Sequence, residues 1–190
     1  VLMCMHGEQG AMGLVINRLA PFTIHEIMEQ INIDCDVALE QQALVGGPVA
    51  VDSGLLLYRC DPDTEHREDE ILICDDLRLC PGRDLLAKIG QGQGPEDFYM
   101  LLGHSGWATG QLEQEIASGA WIPTTLNLDI IFSTPLEDRW SEALRLEGLH
   151  PAQMTTFLYP AVRNLSIAAR KKRVRATSSD ENLDLFPQAE

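Results

Sequence analysis

Within five residues, Gly103-His104-Ser105-Gly106-Trp107 gathers an imidazole, a hydroxyl and an indole, and Gly110-Gln111-Leu112-Glu113-Gln114-Glu115 follows closely. An imidazole beside a hydroxyl is the raw material of acid–base or nucleophilic chemistry. The indole offers a stacking platform, and the carboxylates offer an acidic partner surface or a place for a cation. Each has a plainer alternative. Ser105 can bond its own backbone in a turn, and His104 can be a polar group at a strand end. Trp107 can be a packing anchor whose N–H meets a carbonyl. Glu113 and Glu115 can be the solvated face of a helix whose other face carries Leu112 and Ile116. A serine nucleophile elbow needs glycine two residues after the serine; Trp107 stands there.

The elements that would position these groups are legible from pattern. An apolar strand over 98–102 enters a glycine-bracketed turn at 103–107, and a helix over 110–117 leaves it. Two strands, 1–6 and 11–18, flank a turn at Gly7-Glu8-Gln9-Gly10. A helix over 23–31 opens on Thr23 and Glu26, the spacing of a capping box, with Phe22 and Ile27 placed for a hydrophobic staple. Residues 44–45, 55–59, 70–74, 121–122 and 128–132 read as strands, 61–69 as an acidic loop and 81–89 as a short helix. Thr134, Pro135 and Glu137 predict a second capping box, opening a helix that ends at Gly148. Residues 151–162 are apolar without a clear period. From 164 the pattern decays into a basic run and then an acidic end, read as a tail. Two units follow: a domain over 1–163 and a tail over 164–190. Strands and helices mix without strict alternation, which predicts a single compact α/β (mixed α+β) domain, a mixed sheet flanked by helices.

Other glycine-rich stretches fail as phosphate sites. Gly46-Gly47-Pro48 leads into Val49-Ala50-Val51, with no Lys or Ser/Thr at a helix start, so it reads as a turn bringing two backbones close. Gly90, Gly92 and Gly94 follow a helix and precede a strand, the reverse of a dinucleotide loop. The five histidines have neither mutual nor cysteine spacing for a zinc site, and no metal or cofactor is expected.

The chain has 190 residues and a net charge of −15, which opposes nucleic acid and anionic membrane. Direct sequence-specific DNA binding by the body is therefore not expected. No apolar run reaches the roughly 18 residues of a membrane span. Five cysteines, an odd number with no C-x-x-C pair, predict reduced thiols and a cytoplasmic setting. Arg170-Lys171-Lys172-Arg173-Val174-Arg175 concentrates basic charge in the tail. Beyond it, Asn182-Leu183-Asp184-Leu185-Phe186 resembles the short motif by which bacterial DNA-handling proteins dock on the replicative sliding clamp, with Asn in place of the usual Gln. Leu183, Leu185 and Phe186 would be the anchors.

Four patches in order resemble the AlgH/YqgE family of bacterial cytosolic proteins. They are Gly10-Ala11-Met12-Gly13-Leu14-Val15-Ile16-Asn17, Gly46-Gly47-Pro48-Val49, the Gly103–Trp107 run with Gly110-Gln111-Leu112-Glu113, and Asp138-Arg139-Trp140. The resemblance covers residues 1–160. It implies a compact fold with a partly closed, barrel-like mixed sheet, and an additional N-terminal strand and helix that this sequence lacks. It also implies a link to transcriptional regulation, notably of alginate production, with no established catalytic residues and no counterpart of the tail. The resulting expectation is a non-enzymatic regulator that meets a protein partner or small ligand in a cleft. That cleft would be formed by Gly46, Gly47 and Pro48 with His104, Ser105, Trp107, Gly110, Gln111 and Glu113. An enzyme using His104 as acid/base and an adaptor acting through the tail are the alternatives. Oligomeric state is left open.

Overall fold

The structure, a computed structural model, describes residues 1–150 and the backbone of 164–168. Among the described residues, ten strands form one mixed sheet. In chain order they are β1 (Leu2–Gly7), β2 (Gly10–Leu14), β3 (Leu19–Thr23), β4 (Gln42–Val45), β5 (Val49–Arg59), β6 (Ile71–Cys74), β7 (Leu77–Cys80), β8 (Phe98–Trp107), β9 (Trp121–Thr125) and β10 (Asn164–Ala168). Five helices of the described residues accompany them: α1 (Ile24–Gln30), α2 (Arg83–Gly90), α3 (Gln111–Ala117), α4 (Leu128–Phe132) and α5 (Arg139–Leu146). The main path runs β6-β7-β5-β8-β2-β1-β10-β9, with β4 also on β8 and β3 on β4. The β6 edge comes back against β1, so the sheet curls into a nearly closed barrel. The chain adopts the mixed sheet with flanking helices expected from its pattern and the barrel-like closure that the resemblance implies.

The barrel is held by strands that are apolar on both faces, which alternation of side chains makes possible. Leu55 and Leu57 join Leu2, Leu14, Leu77, Leu79, Leu101 and Ile131 in one core. Their neighbours Leu56 and Tyr58 point the other way, joining Met100, Ile24, Met28, Leu85 and Ile89 in a second core under α1 and α2. Truncating a side chain such as Leu57, with 0% exposure, costs about 2–5 kcal/mol in such a setting.

Several local expectations are met. The Thr23–Glu26 capping box closes in both directions. Others are corrected. The residues 103–107 are not a turn: they continue β8, whose central place in the sheet extends the strand through both glycines. The apolar run 128–132 is the helix α4, because the Asn127 carboxamide accepts from the Asp129 and Ile130 backbone N–H groups and caps it. The second capping box does not form. Residues 136–138 make a turn, α5 begins at Arg139, and the Thr134 hydroxyl donates to the Asp129 carbonyl 3.1 Å away. Strands β3 and β7 were not foreseen, and β5 starts six residues earlier than its apolar core. Asn164–Ala168, placed by sequence at the start of the tail, pair in parallel with β1 and β9 as β10. Residues 151–163 and the rest of the tail lie outside the described residues.

Candidate functional site

β8 changes partners midway. Its first half pairs with β4, its second half pairs with β2, and β5 lines the opposite edge. The change falls at Gly103, whose φ of 69° is left-handed. There β5 bulges: residues 50–53 stand between the pairs Val49–His104 and Gly54–Leu102, opposite Gly103 alone. The Gly46-Gly47-Pro48 turn crosses at the same point. Gly46 N–H donates to the Leu102 carbonyl at 2.8 Å, and its own carbonyl accepts from Val15 N–H at 2.7 Å. A Cβ on Gly46 would sit 2.2 Å from the Gly103 oxygen, and one on Gly47 would sit 2.2 Å from the His104 carbonyl carbon. The two sequence patches are thus in backbone contact, and the glycines make that contact possible. Pro48 is exposed beside it.

His104 is buried at 6% exposure, and its Nε2 has no hydrogen-bond partner among the described residues. Burial lowers its pKa from the ordinary 6.5. Ser105 is half-buried and pairs with Gly13 of β2. Adjacent strand residues point to opposite faces, so this imidazole and this hydroxyl do not face each other.

Trp107 is buried and meets Trp121 of β9 edge-on, with ring centroids 5.6 Å apart at 74°. Its N–H reaches a carboxylate rather than the expected carbonyl. Glu115 Oε2 accepts from Trp107 Nε1 at 2.9 Å and from Trp121 Nε1 at 2.6 Å. Glu115 Oε1 accepts from Gln111 Nε2 at 3.0 Å. The Gln111 carbonyl oxygen in turn accepts from Ala108 N–H at 3.0 Å. The bond from Trp121, followed by those from Trp107 and Gln111, holds the Glu115 carboxyl below the usual carboxylate range. Gly110, left-handed at φ 76°, turns the chain from β8 into α3. Glu113 stands exposed on the first turn of α3, with its Oε1 2.5 Å from His6 Nε2 of β1. By pattern alone, Glu115 is one of two acids on a solvated helix face. Its i, i+4 spacing from Gln111 was the available signal.

A second polar cluster escaped the sequence reading. Glu70 is buried and accepts from the Tyr58 hydroxyl. Arg67 Nε lies 2.8 Å from it and Arg78 Nη1 3.0 Å. Arg78 also donates to the Glu65 and Thr64 carbonyls, which ties the acidic loop to the barrel. A third feature is Arg139, at 3% exposure, donating to the Thr134 and Ile16 carbonyls and to the Tyr99 hydroxyl. Among the described residues no His/Cys/Asp/Glu group can hold a metal ion, and no helix is long and apolar enough to cross a membrane. Leu183, Leu185 and Phe186 lie outside the described residues.

Comparison with known proteins agrees with the fold. Residues 1–152 match the family model DUF179, described as AlgH-like. A UPF0301 protein of Photobacterium profundum is 37% identical over 161 residues, covering 82% of this chain and 84% of its own length. One from Laribacter hongkongensis is 38% identical over 157 residues, covering 81% and 82%. The solution structure of the AlgH protein from Pseudomonas aeruginosa superposes with a TM-score of 0.65 at 33% identity, covering 80% of each chain. A Corynebacterium diphtheriae crystal structure shares the fold at 18% identity, with a TM-score of 0.56 over 75% of this chain and 74% of its own.

Proposed function

The chain belongs to the AlgH-like family, and on that premise we propose that it is a non-enzymatic binding protein acting in regulation through a protein partner. The partner surface is the N-terminal end of α3, where Gln111, Glu113 and the neighbouring His6 are presented. One observation carries this reading: the Glu115 carboxylate ties Trp107, Trp121 and Gln111 together. A helix anchored in that way presents its outer residues already ordered, which lowers the entropic cost of recognition. The exposed carboxylate of Glu113 favours a basic segment on the partner. A net charge of −15 argues against DNA as that partner. The five free thiols support a reducing, cytoplasmic setting.

Catalysis by His104 has less support, because the imidazole is buried and faces away from Ser105. Trp107 is a poor probe of either reading, since removing a buried indole costs about 3–5 kcal/mol of stability by itself. The test is complementation of a bacterial strain deleted for its own family member, read as restoration of its transcript profile. Glu113→Lys and Gln111→Ala, folded like the parent, are expected to fail while His104→Asn restores the profile. Full restoration by Glu113→Lys would remove this surface from consideration, and loss with folded His104→Asn would favour an enzyme.

A further inference from the structure

Two arginines are buried among the described residues, Arg78 and Arg139. Arg78 has its counter-charge in Glu70, 3.0 Å away. Arg139 has none. Its bonds go to the carbonyls of Thr134 and Ile16 and to the Tyr99 hydroxyl, and its guanidinium lies over the Tyr99 ring at 4.7 Å from the centroid. All of these partners are neutral. A guanidinium keeps its proton in proteins, so Arg139 is a desolvated positive charge without a balancing acid among the described residues.

That charge borders a cleft of about 440 Å³, within the range of small-molecule sites. Arg139, Thr134 and Ser133 line one part, and Gln42 of β4 lines another. The stacked rings of Tyr99 and Phe132, 5.7 Å apart at 12°, supply an aromatic wall. Glu40, exposed on the cleft lining, makes no ion pair with Arg139. The stack is flanked by a second guanidinium, Arg59, 5.2 Å from the Phe132 centroid, but Arg59 is paired with Asp97 at 3.2 Å. Among the described residues, then, Arg139 is a cation of this region that no acid meets.

We propose that this cleft binds a small ligand through a carboxylate or phosphate group, which takes the place against Arg139 that Glu70 takes against Arg78, with an apolar body against the Tyr99–Phe132 stack. Charge-assisted bonds to a desolvated guanidinium are among the stronger polar contacts, and its planar fork matches either oxyanion. The residues involved are separate from those of the α3 partner surface.

Calorimetric titration of the full chain with benzoate, benzamide and inorganic phosphate tests this. Saturable binding of benzoate or phosphate, with benzamide at least tenfold weaker than benzoate where benzoate is the ligand, is the expected result. Whichever anion binds identifies the headgroup. Arg139→Gln should abolish binding. Ser133→Glu, at an exposed lining position, offers the missing carboxylate from the chain itself; it should weaken anion binding at least tenfold without lowering Tm. It keeps the test decisive if Arg139→Gln does not fold. No saturable binding of either anion, equal binding of benzamide and benzoate, or unchanged binding by Ser133→Glu would each overturn the proposal.

Discussion

The Glu115 carboxylate receives two indole N–H groups and one amide N–H on its two oxygens. Hydrogen bonds to a charged acceptor contribute more than neutral ones, about 1.5–3 kcal/mol. Glu115→Gln keeps the size but removes the charge and turns one acceptor into a donor. It is expected to lower stability by about 1–3 kcal/mol in urea unfolding, with a shift in tryptophan emission. An unchanged midpoint and spectrum would show that the two indoles find other partners. The sequence showed Trp107 and Glu115 as separate residues. Trp121 of β9 donates to the same Glu115 oxygen, so that one carboxylate joins groups from β8, α3 and β9.

At the scale of elements, the junction of β8, β5 and the Gly46-Gly47-Pro48 turn is where backbone meets backbone. The glycines there are not equivalent. A Cβ on Gly46 meets the Gly103 carbonyl oxygen at 2.2 Å, whereas one on Gly106 meets only a Val49 methyl at 3.9 Å. Gly46→Ala is therefore expected to cost about 3 kcal/mol or more, or to prevent folding, from overpacking against immobile backbone. Gly106→Ala should fall within about 1 kcal/mol of the parent. Comparing their denaturation midpoints checks this, and equal effects would mean that the junction yields. Gly46-Gly47-Pro48 is the close approach of two backbones that its sequence predicts. The glycines of Gly103–Trp107 predict a turn as well, but the segment is strand. Glycine marks close approach or a left-handed φ, and in β8 those occur inside a strand that switches partners.

For the whole molecule, stability should depend on pH through His104. Burial lowers its folded pKa below 6.5. As pH falls below 6.5, the unfolded chain takes up a proton that the folded chain does not, so folding weakens; above 6.5 the contribution is fully present. Unfolding free energy is expected to decline over that window, and His104→Asn should flatten the decline. The same slope in both proteins would assign it to other groups. Helix α1 and the mixture of strands and helices were legible in residue order, because capping chemistry and hydrophobic periodicity are local; the curling of the sheet was implied by the family resemblance alone. The length of β5 and the late start of α5 were not legible, since pairing and packing with distant segments override weak local preference; the helical state of Leu128–Phe132 rests on a local signal, the Asn127 cap, that its apolar run obscures. The same division runs through the candidate site. Residue types alone determined that an imidazole, indoles and acids lie close in the chain, and composition determined that the protein is acidic. Only the tertiary structure decided which of those groups is buried, that Glu115 rather than a carbonyl receives the indoles, and that Arg139 borders a cleft without pairing to an acid among the described residues. Burial and charge balance are properties of assembled surfaces, formed by residues far apart in sequence.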